Sequence, residues 1–513
     1  MFRFKLAFVL SSLAIFSYAQ NDLDAIRYSR VGGGGSARFI SMGGAFGAVG
    51  ADLSSAAYNP AGLGLFRKGE LSFTAGLRAT NNSGNIYKKS SSVFDLNGNF
   101  NNFGFAYAWK AANDADSRHV LALVGTQLQN FNNSTRMSGY TNSSSIAKDM
   151  LNLASYYDLS ANLTGNLNPS YEGLGYQAYL LDTANNQFFS FLDPKRTVKQ
   201  TRDIVTNGHV NDWNISYAYT YKDKFYLGGS LGLPQVSYES TTTHTEEDDK
   251  DSMRVTLTSS STFSDTYVDP IPYLNPGYEN RLGFKSLVYT EYFKTTGSGI
   301  NLKLGGIVRV NDLLRVGLYY HTPTVYSLAD TYYNTMTVTF DKAGSTPDTA
   351  KDPPAGGYYK YKIITPGKIS ANAAFIIKKI AVIGIDYEIT NYKNAQLSSA
   401  NSSDFAGVNS TIKTKYTNGQ NLRIGGELNL SPLMLRVGYN MQGSPFGKVF
   451  VGDFVRNTFS AGFGFRTKNN FYFDFVVYKT LSKENYYLFT TLNTMSKVTY
   501  NSTTLSATVG IKF

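Results

Sequence analysis

The sequence predicts an all-β fold: a fourteen-stranded antiparallel transmembrane β-barrel with a small N-terminal hatch inside its lumen. Three observations carry that prediction. Segments of about ten residues alternate apolar with small or polar side chains, the pattern of barrel strands that turn one face to lipid. The connections between these segments alternate between short and long. The chain then ends TLSATVGIKF, with Leu505, Ala507, Val509, Ile511 and Phe513 on one face up to the last residue.

The elements follow in order. Residues 1–19 (MFRFKLAFVLSSLAIFSYA) combine Arg3 and Lys5, an apolar stretch from Leu6 to Phe16, and the small residues Ser17 and Ala19. That is the layout of a secretory signal peptide cleaved before Gln20, so an exported chain is expected. Cysteine is absent, which excludes a disulfide framework and a thiolate metal site. Nothing after the leader approaches the roughly 18 consecutive apolar residues of a transmembrane helix. With 38 Tyr, 34 Phe and 47 Gly against 17% charged residues, the composition suits strands better than helices or disorder.

Residues 20–69 do not alternate and form the expected hatch. Their glycine-rich stretch SMGGAFGAVGADLSSAAYNPAGLG, Ser41 to Gly64, invites a nucleotide-loop reading. The spacing Gly44-x-x-Gly47-x-x-Gly50 departs from G-x-G-x-x-G, no strand precedes it, and no βαβ unit follows. About 50 residues are too few for an independent core of much size. They can instead fill the lumen of a fourteen-stranded barrel, which is too wide to be packed by its own side chains.

Residues 70–513 form the expected barrel. In Asp212–Tyr221, Trp213, Ile215, Tyr217, Tyr219 and Tyr221 oppose Asp212, Asn214, Ser216, Ala218 and Thr220. Asn301–Val310, Asn421–Leu430, Thr458–Arg466 and Phe471–Tyr478 repeat the scheme. Short turns fall near 111–117, 221–224, 310–313, 377–380, 429–433 and 467–470. Long loops fall near 81–98, 133–208, 241–284, 331–356, 392–411, 441–455 and 481–500. An even strand count with short turns in the periplasm puts both termini there, in a bacterial outer membrane. Closure is required, since an open sheet edge would leave unpaired backbone groups in hydrocarbon.

The hatch and several strands resemble the FadL/TodX outer-membrane transporters. The residues that carry the resemblance are Ala37-Arg38-Phe39-Ile40-Ser41-Met42-Gly43-Gly44-Ala45-Phe46, Ala51-Asp52, and Ala56-Ala57-Tyr58-Asn59-Pro60-Ala61-Gly62-Leu63. Gly297-Ser298-Gly299 in the sixth strand, Thr365-Pro366 at the eighth and Ile385-Asp386-Tyr387 in the ninth extend it over the mature chain. The resemblance implies passive uptake of a hydrophobic ligand such as a long-chain fatty acid. In that family a hatch shift releases the ligand, which leaves through a side opening where the third strand bends. It also implies that Asn59, Pro60 and Ala61 form the hatch motif at the passage. Physically, Pro60 fixes φ and biases Asn59 towards an extended conformation, which equally suits a tight turn after a short helix. The terminal phenylalanine resembles the signal read by the barrel-assembly machinery.

Other residues offer candidate chemistry. Lys303 and Arg423 face inward and lie deep, so either could meet a ligand carboxylate; Asp386, Glu388, Glu427 and Asp474 also face inward and offer ion pairing instead. Gly125 in His119–Phe131 is compatible with a bend in the third strand. The 133–208 loop carries many apolar residues, among them Ile146, Met150, Leu180 and Phe188, fit for ligand capture or for packing on itself. His119, His209, His244 and His321 are scattered, and no HExxH or EF-hand loop occurs, so no enzyme, cofactor or metal site is expected. The acidic run Glu246–Asp251 reads as a solvated charge run. The net charge of +11 is spread along the chain, which disfavours nucleic acid and fits contact with outer-membrane lipid and lipopolysaccharide headgroups. A second functional class, a PorV-like barrel that holds secreted proteins, shares the long outer loops; haem uptake is the third.

Overall fold

A computed structural model describes residues 22–513 apart from 31, 112–113, 157–166, 185–186, 193–195, 254–282, 342–345, 379, 402, 448–453, 490 and 493. The expected leader and the end of the acidic-run loop lie outside the described residues. Fourteen strands form one closed antiparallel barrel. They are β1 (Glu70–Ile86), β2 (Lys89–Ala111), β3 (Asp114–Asn130, continued by Asn133–Thr141), β4 (Val198–Tyr221), β5 (Phe225–Glu247), β6 (Phe284–Arg309) and β7 (Leu314–His321 and Val325–Phe340). The remainder are β8 (Asp348–Ile364 and Lys368–Ile377), β9 (Ala381–Asn391 and Gln396–Ser398), β10 (Asn418–Leu430), β11 (Leu433–Gln442), β12 (Arg456–Arg466), β13 (Phe471–Tyr487) and β14 (Met495–Lys512). Pairing of β1 with β14, from Glu70↔Lys512 to Asn85↔Lys497, closes the ring and leaves no seam there.

The wall is an inside-out protein. On β4, Ile215 and Tyr217 are 51% and 45% exposed, while Asn214 and Ser216 between them are 0% and 1% exposed. Phe103, Phe105, Tyr107 and Trp109 on β2, with Leu302 and Leu304 on β6, continue the exposed apolar belt. Such a contiguous apolar exterior is stable only against hydrocarbon, and the polar groups inside find partners across the lumen. No helix of the described residues is long and apolar enough to cross a membrane.

The six short turns fall where the alternation puts them. The long connections are another matter. The stretch expected as a loop at 81–98 is strand on both sides of a two-residue turn, Tyr87–Lys88, whose φ values of 49° and 61° are those of a tight hairpin. β7 and β8 likewise pair far into the 331–356 stretch. Above the lipid both faces of a strand are wet, so alternation, which reports a chemical difference between faces, disappears while the hydrogen bonding continues.

Within the large outer loop, α3 (Ile146–Ala154) is N-capped by Ser145, whose side chain accepts from Ala147 N. Ile146, Met150, Leu180, Leu181, Phe189 and Phe191 are buried in one cluster with Phe284, Leu287, Met336 and Phe340 from the outer ends of β6 and β7. The apolar side chains that could have formed a capture surface are therefore spent on the loop's own core.

Candidate functional site

The N-terminal segment lies against the inward face of the wall. Helix α1 (Asp22–Ser29) is followed by α2 (Ala37–Ser41), which Ser36 caps by accepting from Phe39 N. Gly43 and Gly44 then take φ of 63° and 76°, a left-handed turn that side chains rarely tolerate. From there the chain winds along the wall strand by strand, and the wall offers glycines where it passes. A Cβ at Gly438 on β11 would strike Gly43, one at Gly425 on β10 would strike Met42, and one at Gly384 on β9 would strike Ala45. Gly317 on β7 faces the Gly47 carbonyl, Gly305 on β6 faces Asn59, and Gly228 on β5 faces Pro60 and Ala61. This belt of absent side chains lets two backbones approach to contact.

Polar links reinforce the fit. Arg38 Nε and Nη2 donate to Glu427 at 2.9 and 3.1 Å, and Glu427 also accepts from Arg436 at 2.6 Å. Gly47 N donates to Asp386 at 2.9 Å, Ala37 N to Thr508 Oγ1 at 2.7 Å, and His321 Nε2 to the Tyr58 carbonyl at 2.6 Å. Arg436 further reaches Asp474 at 2.7 Å, and Arg466 meets the same carboxylate at 2.9 Å. Of the inward carboxylates noted in the sequence, Glu427 and Asp474 are thus occupied by arginines, while Asp386 accepts from the Gly47 backbone.

Asn59, Pro60 and Ala61 form one unit. Asn59 is extended (φ −112°, ψ 98°), with Pro60 opening a short 3-10 turn, Pro60–Leu65. Asn59 Oδ1 accepts from Ala61 N at 3.1 Å and its Nδ2 donates to the Gly47 carbonyl at 2.6 Å. The asparagine therefore caps its own turn and ties it to the loop across the segment.

Lys303 and Arg423 both point inward and are buried. Lys303 Nζ donates to Asp212 at 2.8 Å, Asn214 at 2.7 Å and Asn301 at 2.9 Å, so its three protons are taken. Arg423 donates to Glu388 at 3.1 Å and to Tyr319 Oη at 3.2 Å. They share the lining of a polar cavity of about 50 Å³ with His321, Lys368 and Glu388.

A far larger cavity, about 930 Å³, lies on the other side of Tyr58 and Arg423. The N-terminal segment supplies Arg30, Phe39, Ile40 and Gly44; β11 to β14 and β1 supply Asn440, Arg456, Thr480, Ser502 and Arg78. β3 adds Gln127 to Phe131, and there the wall changes. Pairing of β2 with β3 runs from Ala111↔Asp114 to Asn102↔Thr126 and stops. Beyond it β3 keeps β4 as partner, with a bulge between Gln127 and Gln129. Leu121 and Leu123 face outward, yet Gln127 and Gln129, on the same alternation, line the cavity. The strand thus rolls inward just after Gly125, where a Cβ would crowd the Trp213 ring. The N-terminal segment meets the freed strand: Gly32 N donates to Leu128 O at 2.7 Å, and Gly34 lies so close to the Gln127 carbonyl that no Cβ fits. Among the described residues, the hydrogen bonds from β1 and β2 to β3 here come from side chains. Asn130 donates to Asn99 at 2.7 Å, Asn82 to Asn133 at 2.7 Å, and Arg78 to the Asn132 carbonyl at 3.0 Å. The resemblance had placed a bend in this strand; the detached upper half and its glycine contacts carry no local sequence signal beyond Gly125 and the Gly32–Gly35 run.

An N-terminal segment lodged against the inner wall, a large inner cavity and a break in one wall strand define a class by its fold: a β-barrel of the FadL type. No family model and no curated relative matches the chain. Solved structures do. A FadL homologue of Pseudomonas aeruginosa superposes with a TM-score of 0.51 at 12% identity, over 94% of this chain and 98% of that one. The toluene transporter TodX of Pseudomonas putida gives 0.49 at 13% identity, over 94% and 98%. The toluene transporter TbuX of Ralstonia pickettii gives 0.47 at 14%, over 94% and 99%. At these identities the likeness is one of fold, and the chain has the FadL-type fold.

Proposed function

We propose that this chain is a passive outer-membrane passage for hydrophobic small molecules, long-chain fatty acids among them, with both termini in the periplasm. Residues 20–69 act as the hatch, and Asn59, Pro60 and Ala61 hold it to the wall. The observation that carries the reading is the adjacency of the 930 Å³ cavity to the unpaired stretch between β2 and β3. A ligand in that cavity has the N-terminal segment below it and only amide and guanidinium side chains between it and the outside. Since Gly32–Gly34 touch the same stretch of β3, a shift of the segment would change the width of this gap.

The test is a reversible lock. The chain has no cysteine, so Asn99→Cys with Asn130→Cys places a single thiol pair across the gap, where the native side chains touch at 2.7 Å. Uptake of a neutral hydrophobe by cells or liposomes carrying the oxidised variant should fall to the level of the empty membrane and return on reduction. Uptake indifferent to the lock argues against the side route, and no uptake by the unmodified barrel argues against the function.

A further inference from the structure

The outward face of the wall changes character where β13, β14, β1 and β2 leave the apolar belt. Counting away from the termini, the last apolar rung there is Val477, Leu505 and Leu77, all exposed. The next rung is Lys479, Thr503, Ala79 and Leu96. Two rungs further on stands Lys483, paired with Thr499, and one beyond that Lys497, paired with Asn485 and Asn85. All three lysines are exposed, and among the described residues none makes an ion pair. The two acidic side chains that these strands carry beyond the belt turn the other way. Asp95 pairs with Thr80 and Glu484 with Val498, residues 0% and 2% exposed on the lumenal face.

Apolar side chains reach into the same patch. Leu96 and Phe94 on β2 are 62% and 66% exposed, and they continue the apolar surface of Leu77 past the end of the belt. They stand on the stretch of β2 whose one strand partner, among the described residues, is β1. Like charges close together on one sheet face repel, so three lysines without a carboxylate call for an anion from outside the chain. The apolar residues beside them call for a hydrocarbon chain on the same molecule. Spacing narrows the choice. Lys483 and Lys497 are diagonal neighbours, about 7–8 Å apart, and can share one phosphate. Lys479 lies four residues from Lys483 on the same face, roughly 13 Å along the strand, and so meets a second phosphate. A phospholipid with a single phosphate satisfies one end of this patch, whereas a disaccharide headgroup phosphorylated at both ends satisfies both.

We infer that this face of β13, β14, β1 and β2 is a binding site for one lipopolysaccharide molecule. Lys479, Lys483 and Lys497 hold the phosphates of its lipid A headgroup, and an acyl chain lies against Leu77, Leu96 and Phe94. The site goes beyond the passage reading and borrows from it only the placing of this end of the barrel in the outer leaflet. The test uses the full chain in phosphatidylcholine nanodiscs, titrated with bisphosphorylated lipid A, with its dephosphorylated form and with phosphatidylglycerol, bound lipid per barrel being counted by native mass spectrometry. The expected result is one tightly held lipid A per barrel, bound at least ten-fold more strongly than either other lipid. The combined Lys479→Gln, Lys483→Gln and Lys497→Gln variant should lose that advantage. A control with Lys378→Gln and Lys468→Gln, on short turns at the other end of the barrel, should keep it. Equal binding of lipid A and its dephosphorylated form overturns the inference without recourse to any variant. Phosphatidylglycerol binding as tightly as lipid A overturns the choice of lipopolysaccharide. Undiminished binding by the triple variant, or equal loss in the control, overturns the location. Neutral-hydrophobe uptake, which tests the passage itself, is independent of all these outcomes.

Discussion

The Asn59 side chain fills the space that a Cβ on Gly305 would need. One residue belongs to the N-terminal segment and the other lies near the end of β6, and enlarging either one would displace its partner. Gly305→Val should therefore lift the Asn59–Ala61 turn from the wall. Overpacking of this kind costs about 1–3 kcal/mol. The lift would be seen as a lower midpoint of thermal unfolding together with raised ion conductance of the reconstituted barrel. Conductance unchanged from the parent would show that the segment does not seal at this point.

Asn59→Ala tests the same turn from the other side. It removes the cap on Ala61 N, worth about 1 kcal/mol, and leaves the buried Gly47 carbonyl without its donor. Hydrogen exchange over residues 43–64 should speed up while the barrel strands stay protected. Uniform exchange across both would mean that the turn and the wall melt as one unit.

Glu388 sits beneath Arg423, accepting also from Tyr319 at 2.7 Å and Asn421 at 2.8 Å. Glu388→Gln leaves the buried Arg423 charge without a counter-ion, and loss of one partner of such a pair costs about 3–5 kcal/mol. The expected readout is a clear drop in unfolding midpoint that Glu388→Gln with Arg423→Met recovers in part. A double variant no better than the single one would assign the loss to the Tyr319 and Asn421 bonds.

His244 stands on the part of β5 beyond the apolar belt, against Phe489, with Nε2 at 3.0 Å from Glu246. Glu246 in turn accepts from Ser145 Oγ, Ile146 N and Gln200, and so anchors the start of α3. Burial holds the imidazole below its ordinary pKa of 6.5, against the opposing pull of Glu246. The unfolded chain then binds more protons than the folded one as pH falls below that value, so stability rises with pH through this window and is lost on acidification. The outer loop should become protease-sensitive as pH drops from 7 towards 5, and His244→Gln should flatten that dependence. A profile identical in the variant would remove His244 as the cause.

Much of this architecture was legible in the chain because lipid imposes a rule on every residue it touches. A side chain facing hydrocarbon must be apolar and its neighbour facing the lumen need not be, so Trp213 to Tyr221 announce their strand one residue at a time. The same rule predicted Lys303 and Arg423 on the inner face. It is silent wherever both faces meet water, which is why the outer hairpins at Tyr87–Lys88 and in β7–β8 passed for loops, and why the apolar loop residues around Met150 did not reveal that they pack on one another.

By itself the sequence determined a cysteine-free chain of alternating strands, the six short turns, and a glycine-rich segment too small to fold alone. Only the tertiary structure decided what those glycines meet, how β3 leaves β2 after Thr126, and that Arg30, Arg78 and Arg456 share one cavity. The reason is distance along the chain. Alternation is a relation between neighbours and can be read locally, whereas Gly305 opposite Asn59, or Arg78 two rungs from Arg456, exists only once the register of closed strands has brought distant residues together.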